Sequence, residues 1–299
     1  MKILLLGKNG QVGRELEKSL IPLGDLTALD RQGMDLSNPD SIREQICSLQ
    51  PDVIVNAAAY TAVDKAESEP DLAMAVNGIA PGIIAEEATR LNALFVHYST
   101  DYVFDGTKSS PYTEQDIPHP LNVYGHSKLA GEQAICKQAS RFLIFRSTWV
   151  YDGQGKNFLN TIKRIGAQRP ELTIVDDQTG APTWSREIAQ ATAQAIDSYL
   201  SRPDPERLNG IYHMTAQGQT SWFGFAQAAA KYGLFAGLAH PPALRAISSA
   251  EFPTPAKRPM YSVLSNAKLL EQFGIQLPDW NISLRECLAL NEAPDSRVI

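Results

Sequence analysis

The sequence predicts an α/β protein, a Rossmann-type doubly wound parallel sheet with a smaller, irregular substrate-binding lobe. Short apolar runs without polar alternation recur along the first half, as strands covered on both faces require. Stretches with helix-spaced apolar residues separate them, and repeated strand-then-helix units favour right-handed crossovers and parallel pairing. A glycine-rich turn follows the first run, where a dinucleotide-binding helix would open.

The first run is KILLL at 2–6. Its apolar stretch before Gly7 is too short for a signal-peptide core and no small-residue cleavage site follows, so it reads as a buried strand. QVGRELEKSL supplies the first helix, and Gly7, Gly10 and Gly13 stand before and within it with GxxGxxG spacing. Gly7 and Gly10 would let backbone N–H groups approach a pyrophosphate, Gly13 would permit close helix packing, and the helix N-terminus adds partial positive charge. A tight turn with no ligand is the bland alternative.

The second run, LTALD at 26–30, closes on Asp30, where a carboxylate can accept from adenosine ribose hydroxyls and so favour NAD. Arg31 beside it suits a 2′-phosphate, which leaves NADH against NADPH open. Asp35 and Leu36 follow in a loop that could hold an adenine, with Ser37 or Asn38 able to cap the next helix. The third run, DVIVN at 52–56, leads into NAAAYTAVDKAE, where Asn56, Ala57, Ala58, Ala59 and Thr61 make a small-residue floor for ribose and nicotinamide. PDLAMAVNGIAPGIIAEEATRL then carries a helical pattern.

The fourth run, LFVHYS at 94–99, ends in HYSTDYVFDG, which brings Ser99, Thr100 and Asp101 to the carboxyl edge where open α/β folds bind ligands. His97, inside the apolar pattern, reads as a satisfied core residue. In NVYGHSKLAGE, Tyr124 and Lys128 open a helix one turn apart, so an ammonium on the same face could lower the phenol pKa from about 10 toward the working range. The fifth run is FLIFRS at 142–147. After about residue 150 the pattern loosens, with helical runs at 185–200 and 221–232 among proline-rich connections. The expected division is a dinucleotide-binding domain with the catalytic residues at 1–150, and a smaller substrate-binding lobe mainly at 151–299, interwoven with it.

Composition narrows the class. Of 299 residues, 43% are hydrophobic and 20% charged, ordinary for a globular chain. No apolar run approaches the roughly 18 residues of a membrane span. The net charge of −6 argues against nucleic-acid or anionic-membrane partners. Cys47, Cys136 and Cys287 are widely spaced and form no CxxC, so neither a disulfide framework nor a zinc site is indicated, and a reducing cytoplasm fits.

The runs GKNGQVGREL, PDVIVNAAAYTAVDKAE, HYSTDYVFDG, LNVYGHSKLAGE, RSTWVY, DQTGAPT and TPAKRP resemble the extended short-chain dehydrogenase/reductases over essentially the whole chain. STDYVFDG and DQTGAPTW point more narrowly to reductases of nucleotide-linked keto sugars. The resemblance implies a catalytic set of Thr100, Tyr124 and Lys128. It implies cofactor contacts from Gly10, Gln11, Val12, Asp30, Asp35, Leu36, Ala59, Tyr60, Thr61, Tyr124 and Lys128, with substrate over Thr100, Asp101 and Trp149. NADPH or NADH would deliver hydride to the C4 carbonyl of a dTDP-4-keto sugar, Tyr124 would donate the proton, and Thr100 would hold the oxygen. Lys128 would orient the nicotinamide ribose and tune Tyr124.

Trp149 stacks on the sugar or is a core aromatic. Arg258, with Lys257, neutralises a diphosphate or belongs to a solvated basic turn, and Gln178 lines the pocket. Dehydratases of this family carry an acid pair after the threonine, whereas STDYV has Asp101 followed by Tyr102, which favours simple reduction. A cofactor-binding regulatory subunit is the rival from another class, and an intact Thr100, Tyr124 and Lys128 argue against it. Some family members are magnesium-linked dimers. Glu15 and Glu187 match the acidic positions, but Leu290 stands where the third acid is expected, with Glu292 only nearby. A magnesium requirement is therefore not expected, and a homodimer stays open.

Overall fold

A computed structural model describes residues 1–292 of the chain. Its strands are β1 (Lys2–Leu6), β2 (Asp25–Leu29), β3 (Val53–Asn56), β4 (Leu94–Thr100), β5 (Phe142–Ser147), β6 (Glu171–Val175), β7 (Gly210–His213) and β8 (Ala243–Ile247), besides several two-residue pairings. The main helices in chain order begin with α1 (Gln11–Leu20), α2 (Pro39–Leu49), α3 (Ala80–Arg90) and α4 (Val123–Gln138). They continue with α5 (Phe158–Gly166), α6 (Ser185–Leu200) and α7 (Trp222–Lys231).

Six strands form one sheet in the order β7-β5-β4-β3-β1-β2, with every pairing parallel. The chain leaves β1 toward β2 on one side and returns to β3 on the other, which creates the crevice where doubly wound folds take ligands. Register aligns the strand ends. Leu6 lies opposite both Leu29 and Asn56, Asn56 opposite His97, and Thr100 opposite Ser147. The residues picked out at the ends of five apolar runs thus share one edge.

Alternation along the strands divides the apolar side chains between two cores. Ile3, Leu5, Val53, Val55, Leu94 and Val96 pack with Leu16 and Leu20 of α1 and with Ile188 and Ile196 of α6. Leu4, Leu6, Ile54, Phe95 and Ile144 pack with Ile42 and Ile46 of α2 and Ile84 of α3. Each buried aliphatic side chain stabilises the sheet by about 1.5–3 kcal/mol. Residues beyond 150 take part in this sheet and its layers, since β7 adds to β5 and α6 lies against α1. The rest of that part forms a smaller lobe in which β6 pairs with β8. Its core includes Tyr151, Leu159, Ile174, Trp184, Phe225 and Leu284.

The helical stretch before β4 departs from the expected regular pattern. Pro70–Met74 is α-helical, Ala75–Ile79 widens into a π turn, and α3 resumes. Pro81 has no N–H to give the Asn77 carbonyl four residues back, so the α ladder is interrupted there. That carbonyl instead faces α4, where a Cβ on Gly131 would sit 2.2 Å from it. Among the described residues no helix is long and apolar enough to cross a membrane.

Candidate active site

The glycine turn is built around backbone. Gly7 adopts φ +86°, and a Cβ there would lie 2.7 Å from the Ala58 nitrogen, so both conformation and space demand glycine. Its N–H donates to the Leu29 carbonyl at 2.9 Å, and its carbonyl accepts from Gly10 at 2.9 Å. A Cβ on Gly13 would lie 2.0 Å from that same carbonyl, which explains the close seating of α1. Gly10 caps α1 without a side chain, leaving the first-turn N–H groups around Gln11 and Val12 to an external anion. This donor set suits a pyrophosphate.

Beside the turn, Asp30 accepts from the backbone of Gln32 and Gly33 at 3.1 and 3.2 Å and from Asn9 at 3.2 Å. These bonds, led by that from Gly33, hold its carboxyl below the usual range. Arg31 is exposed and 3.7 Å from Asp35. Asp35 takes both the N–H and the hydroxyl of Ser37, Asn38 caps α2, and Leu36 is buried in the second core.

The loop from Ala57 to Thr61 is pinned by a residue the sequence reading passed over. Asn77, on the π turn, accepts the Tyr60 N–H at 2.8 Å and donates to the Tyr60 carbonyl at 3.0 Å. The same amide reaches Ser127 Oγ at 3.1 Å, and Ser127 donates to the Tyr124 carbonyl at 2.8 Å. One buried side chain therefore ties the cofactor-side loop to the catalytic helix. Its sequence signal was a polar residue and a glycine inside an otherwise apolar helix, shortly before Pro81. The Tyr60 hydroxyl donates to Glu69 at 2.7 Å.

Asn122 caps α4 by accepting from Gly125 at 2.8 Å, and its amide donates to the Lys257 carbonyl at 2.8 Å. Tyr124 stands in the first turn, edge-on to Tyr102, with its phenol beside the Thr100 side chain. Thr100 donates to Asp101 at 3.0 Å. The buried Asp101 also accepts from Thr148 at 2.8 Å, with the Ser262 hydroxyl near it. Burial pushes the Asp101 carboxyl up to about 6 in spite of these bonds. Burial likewise pushes the Tyr124 phenol up to about 12, with the Thr100 side chain opposing the shift and the Asp101 charge adding to it.

This corrects the expected electrostatics of Tyr124 and Lys128. Lys128 is wholly buried one turn along, but its Nζ turns to β4, 3.2 Å from His97 Nε2 and 2.5 Å from the Tyr98 carbonyl. Burial lowers its amine to about 8. Desolvation decides the state of the phenol, and the lysine charge does not offset it. His97 is a core residue as expected, yet it also holds the lysine.

On the substrate side, two of the named residues have partners within the chain. Trp149 is stacked on Trp222, ring centroids 3.5 Å apart and planes 8° from parallel, so one face of its indole lies against another indole. Its φ of +45° is unusual for a side chain of that bulk and costs about 1–2 kcal/mol. Arg258, named for a diphosphate or a basic turn, forks the Asp64 carboxylate at 3.0 and 2.8 Å. That guanidinium holds Asp64 below the usual carboxylate range. Gln178 is buried and, with Asp64, Arg169, Trp222, Thr254 and Arg258, lines a pocket of about 530 Å³.

At the acidic positions, Glu15 bonds Lys18 at 2.6 Å and lies 3.5 Å from Arg186. Glu187 accepts from Ser283 at 2.6 Å, and burial pushes it up to about 7. Leu290 is exposed, and the Glu292 side chain lies outside the described residues. Among the described residues no group of three or more His, Cys, Asp or Glu is placed to hold a metal ion.

A parallel doubly wound sheet, a glycine turn at an uncapped helix end and a Thr–Tyr hydroxyl pair on the same edge define a dinucleotide-dependent oxidoreductase. The family model described as RmlD substrate binding domain matches residues 1–292, and the chain belongs to that family. It is 50% identical over 292 residues to a dTDP-4-dehydrorhamnose reductase of Burkholderia thailandensis, covering 96% of this chain and 98% of that one. A crystal structure of a dTDP-4-dehydrorhamnose reductase from Clostridium acetobutylicum superposes with TM-score 0.88 at 37% identity, covering 97% and 99% of the two chains. The Bacillus anthracis reductase, solved in complex with NADP, superposes with TM-score 0.87 at 33% identity, covering 97% of this chain and 99% of that one.

Proposed function

We propose that this enzyme reduces the C4 keto group of dTDP-4-dehydro-L-rhamnose to give dTDP-L-rhamnose, using NADPH or NADH, in the cytoplasmic synthesis of a nucleotide sugar. The observation that carries the reading is the Tyr124 phenol at the start of α4 beside Thr100 at the end of β4, on the side of the sheet that also bears the glycine turn. The names of the relatives support the substrate. The pyrophosphate would be held by first-turn N–H groups beyond Gly10, the adenosine ribose by Asp30 with Arg31 alongside, and the nicotinamide half by the Ala57–Thr61 loop and Lys128. When bound, the reduced nicotinamide supplies a hydride.

This chain's own groups do the rest. When substrate binds, the Thr100 O–H turns from Asp101 to the substrate carbonyl oxygen and fixes its position next to the phenol. Tyr124, protonated at neutral pH because burial raises its pKa, gives that oxygen its proton as the C4–H bond forms. The keto group thus becomes an alcohol, and the phenolate regains its proton from solvent. Asp101 holds the Thr100 hydroxyl until the substrate oxygen takes its place, and the pocket around Gln178 and Arg258 receives the nucleotide diphosphate. In this reading the sheet with its helices is the cofactor domain, and the smaller lobe after residue 150 is the substrate side. The test is to mix purified protein, dTDP-4-dehydro-L-rhamnose and NADPH and follow the reduced nicotinamide absorbance. A steady fall that requires both substrates is expected, and no fall with either cofactor would end the proposal.

A further inference from the structure

The donors and acceptors around His97 carry one further step, which rests on the reading that Lys128 faces the cofactor. His97 lies buried between Asn56 Nδ2, 3.2 Å from its Nδ1, and Lys128 Nζ, 3.2 Å from its Nε2. The Asn56 amide has one orientation available, because its Oδ1 accepts the Ala58 N–H at 3.1 Å. Turning it over would set two N–H groups face to face. Nδ1 therefore accepts from Asn56. A neutral imidazole has one acceptor and one donor nitrogen, so Nε2 carries the proton and aims it at Lys128. An imidazolium would meet the same Asn56 N–H at Nδ1, and burial holds the ring well below its usual basicity. The partner of Nε2–H must offer a lone pair, which an ammonium lacks.

We propose that His97 is a positioning residue that favours the uncharged amine of Lys128 against β4, and that on the alkaline side of neutrality Lys128 takes up one proton from solvent when the dinucleotide is bound. Nε2–H donates to Nζ, and Nζ donates to the Tyr98 carbonyl. The charge that favours the ammonium is Glu132, one turn along α4, and its two oxygens are engaged by Arg146 of β5 at 2.8 and 2.6 Å. Tyr124 on the same helix is a neutral phenol near pH 7. From β3 and β4 come only the neutral Asn56 amide and the His97 ring with the Tyr98 carbonyl. Burial lowers the amine in the same direction as the imidazole N–H, to about 8.

Calorimetric titration with NADPH at pH 9, in two buffers of different ionisation enthalpy, tests this away from the titration of the cofactor phosphate near pH 6. An amine that moves from a pKa near 8 to an ordinary lysine value takes up about 0.9 proton at that pH. The NADPH Kd should rise about tenfold per pH unit over the same range. His97→Phe should cut the uptake to less than about half of the wild-type value. His97→Asn, which can meet Asn56 but not reach Nζ, carries the same expectation should the first variant not fold. Lys128→Met should show no uptake. Wild-type binding without uptake overturns the inference alone, as does full uptake in both His97 variants or any that persists in Lys128→Met. Absence of NADPH binding overturns the cofactor reading and this inference with it.

Discussion

The two sides of the crevice are held open by different means. Along the strand edge, the groups offered to the cofactor are backbone N–H groups fixed by Gly7, Gly10 and the Asn77 clamp. The first-turn N–H groups past Gly10 have no side-chain cap to give up. On the lobe side, Arg258 is bound to Asp64 and Trp149 to Trp222, so each group has a partner that a ligand must replace. Substitutions on the first side should therefore act on stability and cofactor affinity. On the second they should act on substrate KM, with a sign set by whether the ligand or the internal partner is weakened.

The largest effect is expected where the two sides meet. Tyr124→Phe should lower kcat by about 10² to 10⁴ while the NADPH Kd changes less than about threefold, since only the proton donor is lost. Steady-state rates and a cofactor titration decide it, and near-normal turnover would remove Tyr124 from its role. Next comes the preformed edge. Gly7→Ala adds a Cβ 2.7 Å from the Ala58 nitrogen at a positive φ, so urea unfolding should show a loss of about 2–4 kcal/mol and weaker NADPH binding. A variant as stable as the parent would mean the edge is pliable.

The lobe side should then give opposite signs from one ion pair. Arg258→Ala should raise substrate KM about 10- to 100-fold, whereas Asp64→Asn, which frees the guanidinium, should lower it about two- to fivefold. Changes of the same sign in initial-rate measurements would show the pair to be structural. Asp30→Ala is smaller still, raising the NADH Kd about five- to tenfold and leaving NADPH nearly unchanged, because the carboxylate favours ribose hydroxyls and repels a phosphate. Equal losses would refute that division. At the bottom of the series, EDTA should leave turnover and any dimer intact, and a collapse reversed by magnesium alone would show the acidic residues to be metal ligands.

What the sequence revealed follows the same line. The five apolar runs, the glycine spacing and the Tyr124–Lys128 pair are local signals, because period, turn and helix spacing act over a few residues. The partners of the lobe-side groups are not local. Asp64 and Arg258 lie 194 positions apart, and β7 comes from beyond residue 200 to extend a sheet whose other strands end at Ser147. Nothing in periodicity joins such segments. The direction of the Lys128 side chain lies beyond the sequence for another reason, since spacing sets it on the Tyr124 face of the helix but does not say that Nζ turns to a histidine.

The π turn at Ala75–Ile79 has a consequence of its own. A π turn is an α-helix carrying one surplus residue, and each helical residue accounts for about 100° of rotation. Removing any one residue between Pro70 and Ala80 would let regular winding resume and swing the Asn77 amide away from Tyr60 and Ser127. Side chains there can vary while the chain keeps its count. This stretch of the enzyme is constrained by length more than by spelling, so a single-codon deletion should damage it more than most substitutions.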